Sequence, residues 1–360
     1  GVPEHAAGPL MRALLIAVLA LSGIHAAGPR PPFVGGGGGG SAPSREEPFT
    51  MREFRTTIDD RWIGNAVAYG PFRDGQHPGG PQPSREELRE DLRILSAHWS
   101  LIRLYGATGP SETLLELIRE EHLDLKVMLG VWIAPEPVEE PPAGGGAAQP
   151  DVGPANRVEM EAAVRLAAAY PEIVTALCVG NETQVSWSDH RVSPDHLIAC
   201  LREMRARTKA PVTTADDFSY WSAAESRAVA AEIDFIVVHA HPLWNGIQLA
   251  DAPAWTRNAL EGVRAAHPGA VLVLGETGWA TRRHSEGEQA RLIKGVVGEE
   301  EQARFHRELS DWIEAERVTT FFFEAFDENW KGGAHPDEVE KHWGLFRADR
   351  TAKTAMSAGR

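Results

Sequence analysis

With 360 residues, 42% of them hydrophobic, the chain can bury a full core as one large domain or two ordinary ones. A formal charge of −15 without any Lys/Arg run excludes nucleic acid and other polyanions as partners, and leaves a neutral polysaccharide unaffected. Two cysteines, Cys178 and Cys200, exclude a disulfide framework or a multi-cysteine zinc site; their apolar settings read as buried free thiols, and their spacing does not say whether they pair.

At the N-terminus, Met11 and Arg12 precede an apolar run, Ala13 to Leu21, and then small residues through Ala27. Residues 1–27 read as a signal peptide-like segment with an upstream extension, its apolar run too short to span a bilayer comfortably. The expectation is a secreted or periplasmic protein, with an uncleaved membrane anchor as the alternative and no membrane span in the mature domain. Residues 28–50, in which Gly35 to Gly40 are all glycine, read as a Gly-rich disordered linker. Residues 51–360 read as a single catalytic domain.

Within that domain, apolar runs of strand length alternate with amphipathic stretches. The strand candidates are 62–68, 101–105, 125–131, 174–179, 212–214, 235–239, 271–275 and 319–326. Helical periodicity covers 85–98, 111–122, 156–169, 194–208, 222–233, 252–267 and 300–316. Near-continuous apolar strands with helical crossovers predict a parallel sheet covered on both faces. Eight such units in about 300 residues fit an α/β fold of the closed (β/α)8 barrel type. No Gly-x-Gly-x-x-Gly turn follows the first strand, which speaks against a dinucleotide fold. Residues 135–154, rich in Pro and Gly and placed after the third strand, read as a wall of a cleft on the catalytic rim.

In such a barrel the chemistry sits where strands end at the C-terminal face. Glu182 follows the fourth strand and Glu276 closes the seventh, so both carboxylates can enter one cleft from opposite sides. Paired carboxylates are what glycosidic cleavage needs: one protonated, to give a proton to the leaving oxygen, and one ionised, to attack the anomeric carbon. A separation of about 5–5.5 Å makes the mechanism retaining, and mutual repulsion then raises one of the two pKa values.

Around these residues the chain resembles glycoside hydrolase family 17, the β-1,3-glucanases and glucanosyltransferases, and looks closer to its bacterial branch than to the plant enzymes. The resemblance runs from about Trp62 to Lys353 and rests on Ala-Val-Ala-Tyr-Gly-Pro-Phe-Arg-Asp-Gly-Gln at 66–76, Ile-Arg-Leu-Tyr-Gly at 102–106, Val-Gly-Asn-Glu-Thr at 179–183, Gly-Glu-Thr-Gly-Trp at 275–279, Phe-Glu-Ala-Phe-Asp-Glu-Asn-Trp-Lys at 323–331 and Glu-Lys-His-Trp-Gly-Leu-Phe at 340–346. It implies Glu182 as acid/base, Glu276 as nucleophile, Asn181 as a partner of the sugar 2-hydroxyl, and Tyr69, Glu328, Lys331 and Glu340 as cleft residues. The implied substrate is a β-glucan polysaccharide or oligosaccharide, with no cofactor and no metal.

Other residues carry two readings each. Arg103, ending the second strand, is a fixed donor fork that can hold the nucleophile ionised or form a structural ion pair. Asp216 and Asp217 follow the fifth strand, where Asp217 can bind a sugar hydroxyl or cap a helix. His239 and His241 lie on one face of the sixth strand, suited to contacting sugar, orienting a glutamate, or pairing as metal ligands together with Glu276 and Asp217. Among the eleven tryptophans, Trp187, Trp244, Trp279, Trp330 and Trp343 are placed to stack on glucose, Trp279 foremost as the residue three past the nucleophile. At least two of Phe321, Phe322 and Phe323 belong to the core. The competing functions are a transglycosylase with the same site, a carbohydrate-binding barrel without turnover, and a metal-dependent hydrolase. Whether residues 135–154 or 284–298 block one end of the cleft separates endo from exo action, and nothing in the sequence sets the oligomeric state.

Overall fold

The computed structural model describes residues 49–135 and 152–357. The signal-like segment, the polyglycine linker up to residue 48 and residues 136–151 of the expected cleft wall lie outside the described residues. Eight parallel strands close into a barrel: β1 (Asn65–Ala68), β2 (Leu101–Arg103), β3 (Lys126–Val131), β4 (Val174–Asn181), β5 (Val212–Asp217), β6 (Ile236–His239), β7 (Leu272–Thr277) and β8 (Thr320–Phe322). Each pairs with its neighbours in sequence, and β8 closes the ring on β1 through Thr320↔Asn65, Phe321↔Ala66 and Phe322↔Val67. The expected (β/α)8 barrel is the fold observed.

Strand residues are buried nearly without interruption because one face fills the barrel and the other meets the helices. On β3, Met128 points inward, while Val127 and Leu129 join the outer core against the helices. The inward cluster contains Ala66, Leu101, Met128, Ala176, Ala215, Val237, Val273 and Phe321. Phe54 plugs it at the N-terminal end, stacked on Phe235 at 4.5 Å.

The outer layer consists of α1 (Arg85–His98), α2 (Ser111–Glu120), α3 (Pro154–Ala169), α4 (Pro194–Arg207), α5 (Ala252–Ala266) and α6 (Glu299–Glu316). Their starts follow local chemistry. Ser84 and Glu87 form a capping box ahead of α1, and Ser193 caps α4 with Pro194 in its first turn. The helix expected over 222–233 is broken into a turn of helix at Phe218–Trp221, a 3-10 turn at Ala224–Ser226 and a further turn at Arg227–Ala230. The Ser226 hydroxyl hydrogen-bonds to the carbonyls of Trp221 and Ala223, competing with the backbone ladder a continuous helix needs. Cys178 and Cys200 are buried thiols not joined in a disulfide, as expected. Among the described residues no helix is long and apolar enough to cross a membrane.

Candidate active site

At the C-terminal end of β4 the chain turns sharply, with Gly180 at φ +81° and Glu182 at φ +49°. The left-handed region is uncommon for a residue with a side chain, and β5 holds Glu182 there. Its backbone N–H donates to the Ala215 carbonyl at 2.8 Å, and that of Gln184 to Asp216 Oδ2 at 2.8 Å. Glu276, near the end of β7, is in register with His239 on β6. An oxygen of Glu182, a ring nitrogen of His239 and an oxygen of Glu276 lie within 4.8 Å of one another. Two acids from non-adjacent strands therefore share one small volume.

Their surroundings differ. Oε1 of Glu276 accepts from the Tyr105 hydroxyl at 2.8 Å and from Arg103 Nη1 at 3.2 Å, while Oε2 meets His241 Nε2 at 3.2 Å. Burial alone would raise the Glu276 pKa, but the hydrogen bond from His241 and the Arg103 guanidinium outweigh it and hold this carboxyl well below the usual carboxylate range. Burial lowers and Glu276 raises the pKa of His241, with a net rise. Glu182 has one such neighbour, His239 Nδ1 at 2.8 Å, and its side chain is 17% exposed against 8% for Glu276.

Arg103 ties the site together. It is 1% exposed, and its Nη1 reaches the Gly275 carbonyl at 2.9 Å and His239 Nε2 at 2.9 Å, while Nη2 donates to Asn181 Oδ1 at 2.6 Å. A Cβ on Gly275 would stand 3.1 Å from both Arg103 Nη1 and His239 Cδ2, and 2.2 Å from Val237, so glycine makes room for the pair. Glu182, His239 and Glu276 have the spacing of metal ligands. The Arg103 guanidinium already occupies Glu276 Oε1, and its fixed charge opposes a cation there.

The BtgE/BtgC glycoside hydrolase domain matches this chain over residues 66–344. The chain belongs to that family. Among curated relatives, a glucan 1,3-beta-glucosidase of Arthroderma benhamiae is 25% identical over 292 residues, covering 77% of this chain and 86% of the relative. Among solved structures, an endo-laminarinase from Formosa aligns with a TM-score of 0.69 at 24% identity, covering 82% of this chain and 87% of that one. A glycoside hydrolase family 17 beta-1,3-glucanosyltransferase from Rhizomucor miehei aligns with a TM-score of 0.62 at 21% identity, covering 81% and 96%. These structural likenesses establish the barrel, and the family-17 resemblance read from the sequence is borne out.

In this glycoside hydrolase the remaining predicted residues fall into three groups. Arg103, Asn181 and His239 stand in direct contact with the glutamates or with each other, and because Asn181 Oδ1 accepts from Arg103, its amide N–H groups are the ones left over for a ligand. A second cluster holds Glu328, Lys331 and Glu340. The Lys331 ammonium is clamped between Glu324 and Glu328; burial pushes its pKa down, but the two carboxylates outweigh it and hold it above the ordinary lysine value, so it stays charged. Glu340 accepts from Trp244 Nε1 at 3.0 Å, and burial lifts its pKa to about 7. The side chains of the third group are engaged by the protein itself. The Tyr69 side chain is buried, its hydroxyl donating to Asp91 at 2.9 Å. Asp217 caps the turn at Phe218–Trp221 by accepting from Ser219 N–H at 2.8 Å. Trp279 is 1% exposed, packed on Phe305 with its indole donating to the Val296 carbonyl at 2.9 Å, so it offers no face to a sugar. Trp244 and Trp343 are likewise buried. Tyr105 and Glu324 were missed, although both lie inside the quoted segments at 102–106 and 323–331.

Proposed function

We propose that this chain cleaves β-1,3-linked glucan with retention of anomeric configuration, Glu276 attacking C1 and Glu182 serving as acid and then base. The observation that carries the reading is the approach of the two carboxylates to within 4.8 Å, the spacing of a double displacement with no room for an intervening water. The donors around the two acids separate their roles. Tyr105, Arg103 and His241 keep Glu276 ionised, as a nucleophile must be, while the more exposed Glu182 meets the leaving oxygen. Once Glu276 is esterified its charge is gone, and Glu182 takes a proton from the incoming water. Asn181, with amide hydrogens to spare, is the partner for the sugar 2-hydroxyl, and Glu328, Lys331 and Glu340 line the cleft beside it.

The named activities of the relatives, a glucan 1,3-beta-glucosidase, an endo-laminarinase and a beta-1,3-glucanosyltransferase, support the choice of linkage. The signal-like Ala13 to Leu21 run supports action outside the cytoplasm, where such a polymer is met. Incubating the pure protein with laminari-oligosaccharides and following the anomeric protons by NMR tests the reading: the β-anomer is expected first. Initial release of the α-anomer, or no cleavage at all, would refute it, and products longer than the substrate would identify transfer to a second sugar.

A further inference from the structure

His239 is wholly buried and has no task in the double displacement as described. Its Nδ1 lies 2.8 Å from Glu182 Oε1 and its Nε2 2.9 Å from Arg103 Nη1. A guanidinium has only hydrogens to offer, so Nε2 presents its lone pair to Arg103, and the single ring proton falls on Nδ1, directed at Glu182. Arg103 cannot turn away, because it is anchored on Gly275, Asn181 and Glu276. The tautomer is thus dictated from across the barrel by β2.

We propose that His239 is a positioning residue for proton delivery. Its Nδ1–H holds Glu182 Oε1 as an acceptor and so confines the acidic proton to Oε2, the oxygen free to meet the leaving group. The inference rests on the reading of Glu182 as the acid. In the first step the bond from C1 to the departing oxygen breaks as a Glu276 oxygen bonds to C1, and the proton passes from Glu182 Oε2 to that oxygen. Glu182 is left ionised, His239 remains neutral, and its N–H now donates to a full carboxylate, a stronger bond than before. In the second step water returns a proton to Glu182 as its oxygen bonds to C1 and the Glu276 ester breaks. The hydrogen bond strengthens as negative charge grows on Glu182, so it favours the transition state over the bound substrate.

The experiment compares H239A, H239N and E182Q with the wild type on a laminari-oligosaccharide and on the 2,4-dinitrophenyl β-glycoside of the same sugar, whose leaving group needs no proton. The readout is kcat/KM, with circular dichroism to establish folding. E182Q is expected to fall steeply on the oligosaccharide and far less on the aryl glycoside. H239A should follow the same pattern with an oligosaccharide loss of about 10- to 100-fold, part of what general acid catalysis supplies. H239N, whose amide N–H stands near the Nδ1 position, should recover part of that loss. If the alanine variant fails to fold, H239Q, whose amide sits near the Nε2 position and leaves Glu182 without its donor, takes its place. Equal losses on both substrates in the donor-less variant alone would overturn the role of His239. Equal losses in E182Q as well would sink the assignment of Glu182 and this inference with it.

Discussion

Tyr105 and Arg103 reach the same oxygen of Glu276, and a donor to the ionised form of an acid lowers its pKa. Replacing Tyr105 by Phe removes one donor and leaves the guanidinium. The expected outcome is a fall in kcat of about 10- to 100-fold, together with an acid limb of the kcat/KM profile that moves to higher pH, both read from pH–rate curves. Glu340 predicts the opposite kind of pH effect. Its folded pKa, about 7, is raised above the unfolded value, so its contribution to stability is fully present below the ordinary carboxylate range and is lost as pH rises through 7. Glu340→Gln, which can still accept from Trp244, should therefore gain in melting temperature relative to wild type between pH 4.5 and 8; a constant difference would contradict this. Single residues were also where the sequence misled. Trp279 stands three positions past the nucleophile, yet its indole turns outward to Val296 and Phe305, because nearness in sequence does not set the side of the barrel a side chain takes. Tyr105 lies inside the quoted segment at 102–106, and only the position of Glu276 reveals its hydroxyl as a partner.

At the scale of elements, α1 is joined to the end of the chain by a buried acid. Asp91 is 0% exposed and takes both Arg350 Nε at 2.8 Å and Nη2 at 2.7 Å, together with Arg73 at 2.7 Å and the Tyr69 hydroxyl. Asp91→Ala would strand the buried guanidinium of Arg350, a loss on the order of 3–5 kcal/mol measurable by urea unfolding. The surface cap Ser84→Ala should cost only about 1 kcal/mol. The alternation of strands and helices was legible because strands walled on both sides are apolar throughout and helices carry a stripe. α1 was read with its observed bounds, where the capping box marks its start. The reading stopped short on β5, placed at 212–214 but running to Asp217, since Asp216 and Asp217 are polar residues at the strand end whose carboxylates serve nearby backbone N–H groups. Over 222–233 the Ser226 hydroxyl, taking main-chain carbonyls, interrupts a pattern that looks helical.

For the whole molecule, the acidic balance leaves the site itself cationic on one side, with Arg103 and His241 against Glu276. A strong chelator is therefore expected to leave turnover unchanged; loss of activity restored by a divalent ion would return the metal reading of Glu182, His239 and Glu276 to favour. Eight units in the observed order also mean that the ring is complete only when Thr320–Phe322 pairs with Asn65–Ala68, and the Asp91–Arg350 contact spans 259 positions. A chain emerging from the ribosome thus carries both glutamates well before it can join its two ends. Until then β1 and β7 present open hydrogen-bonding edges, which are templates for pairing with other chains. Contacts of such long range slow folding, and the nascent protein passes through a period in which its catalytic acids exist but the wall that aligns them does not.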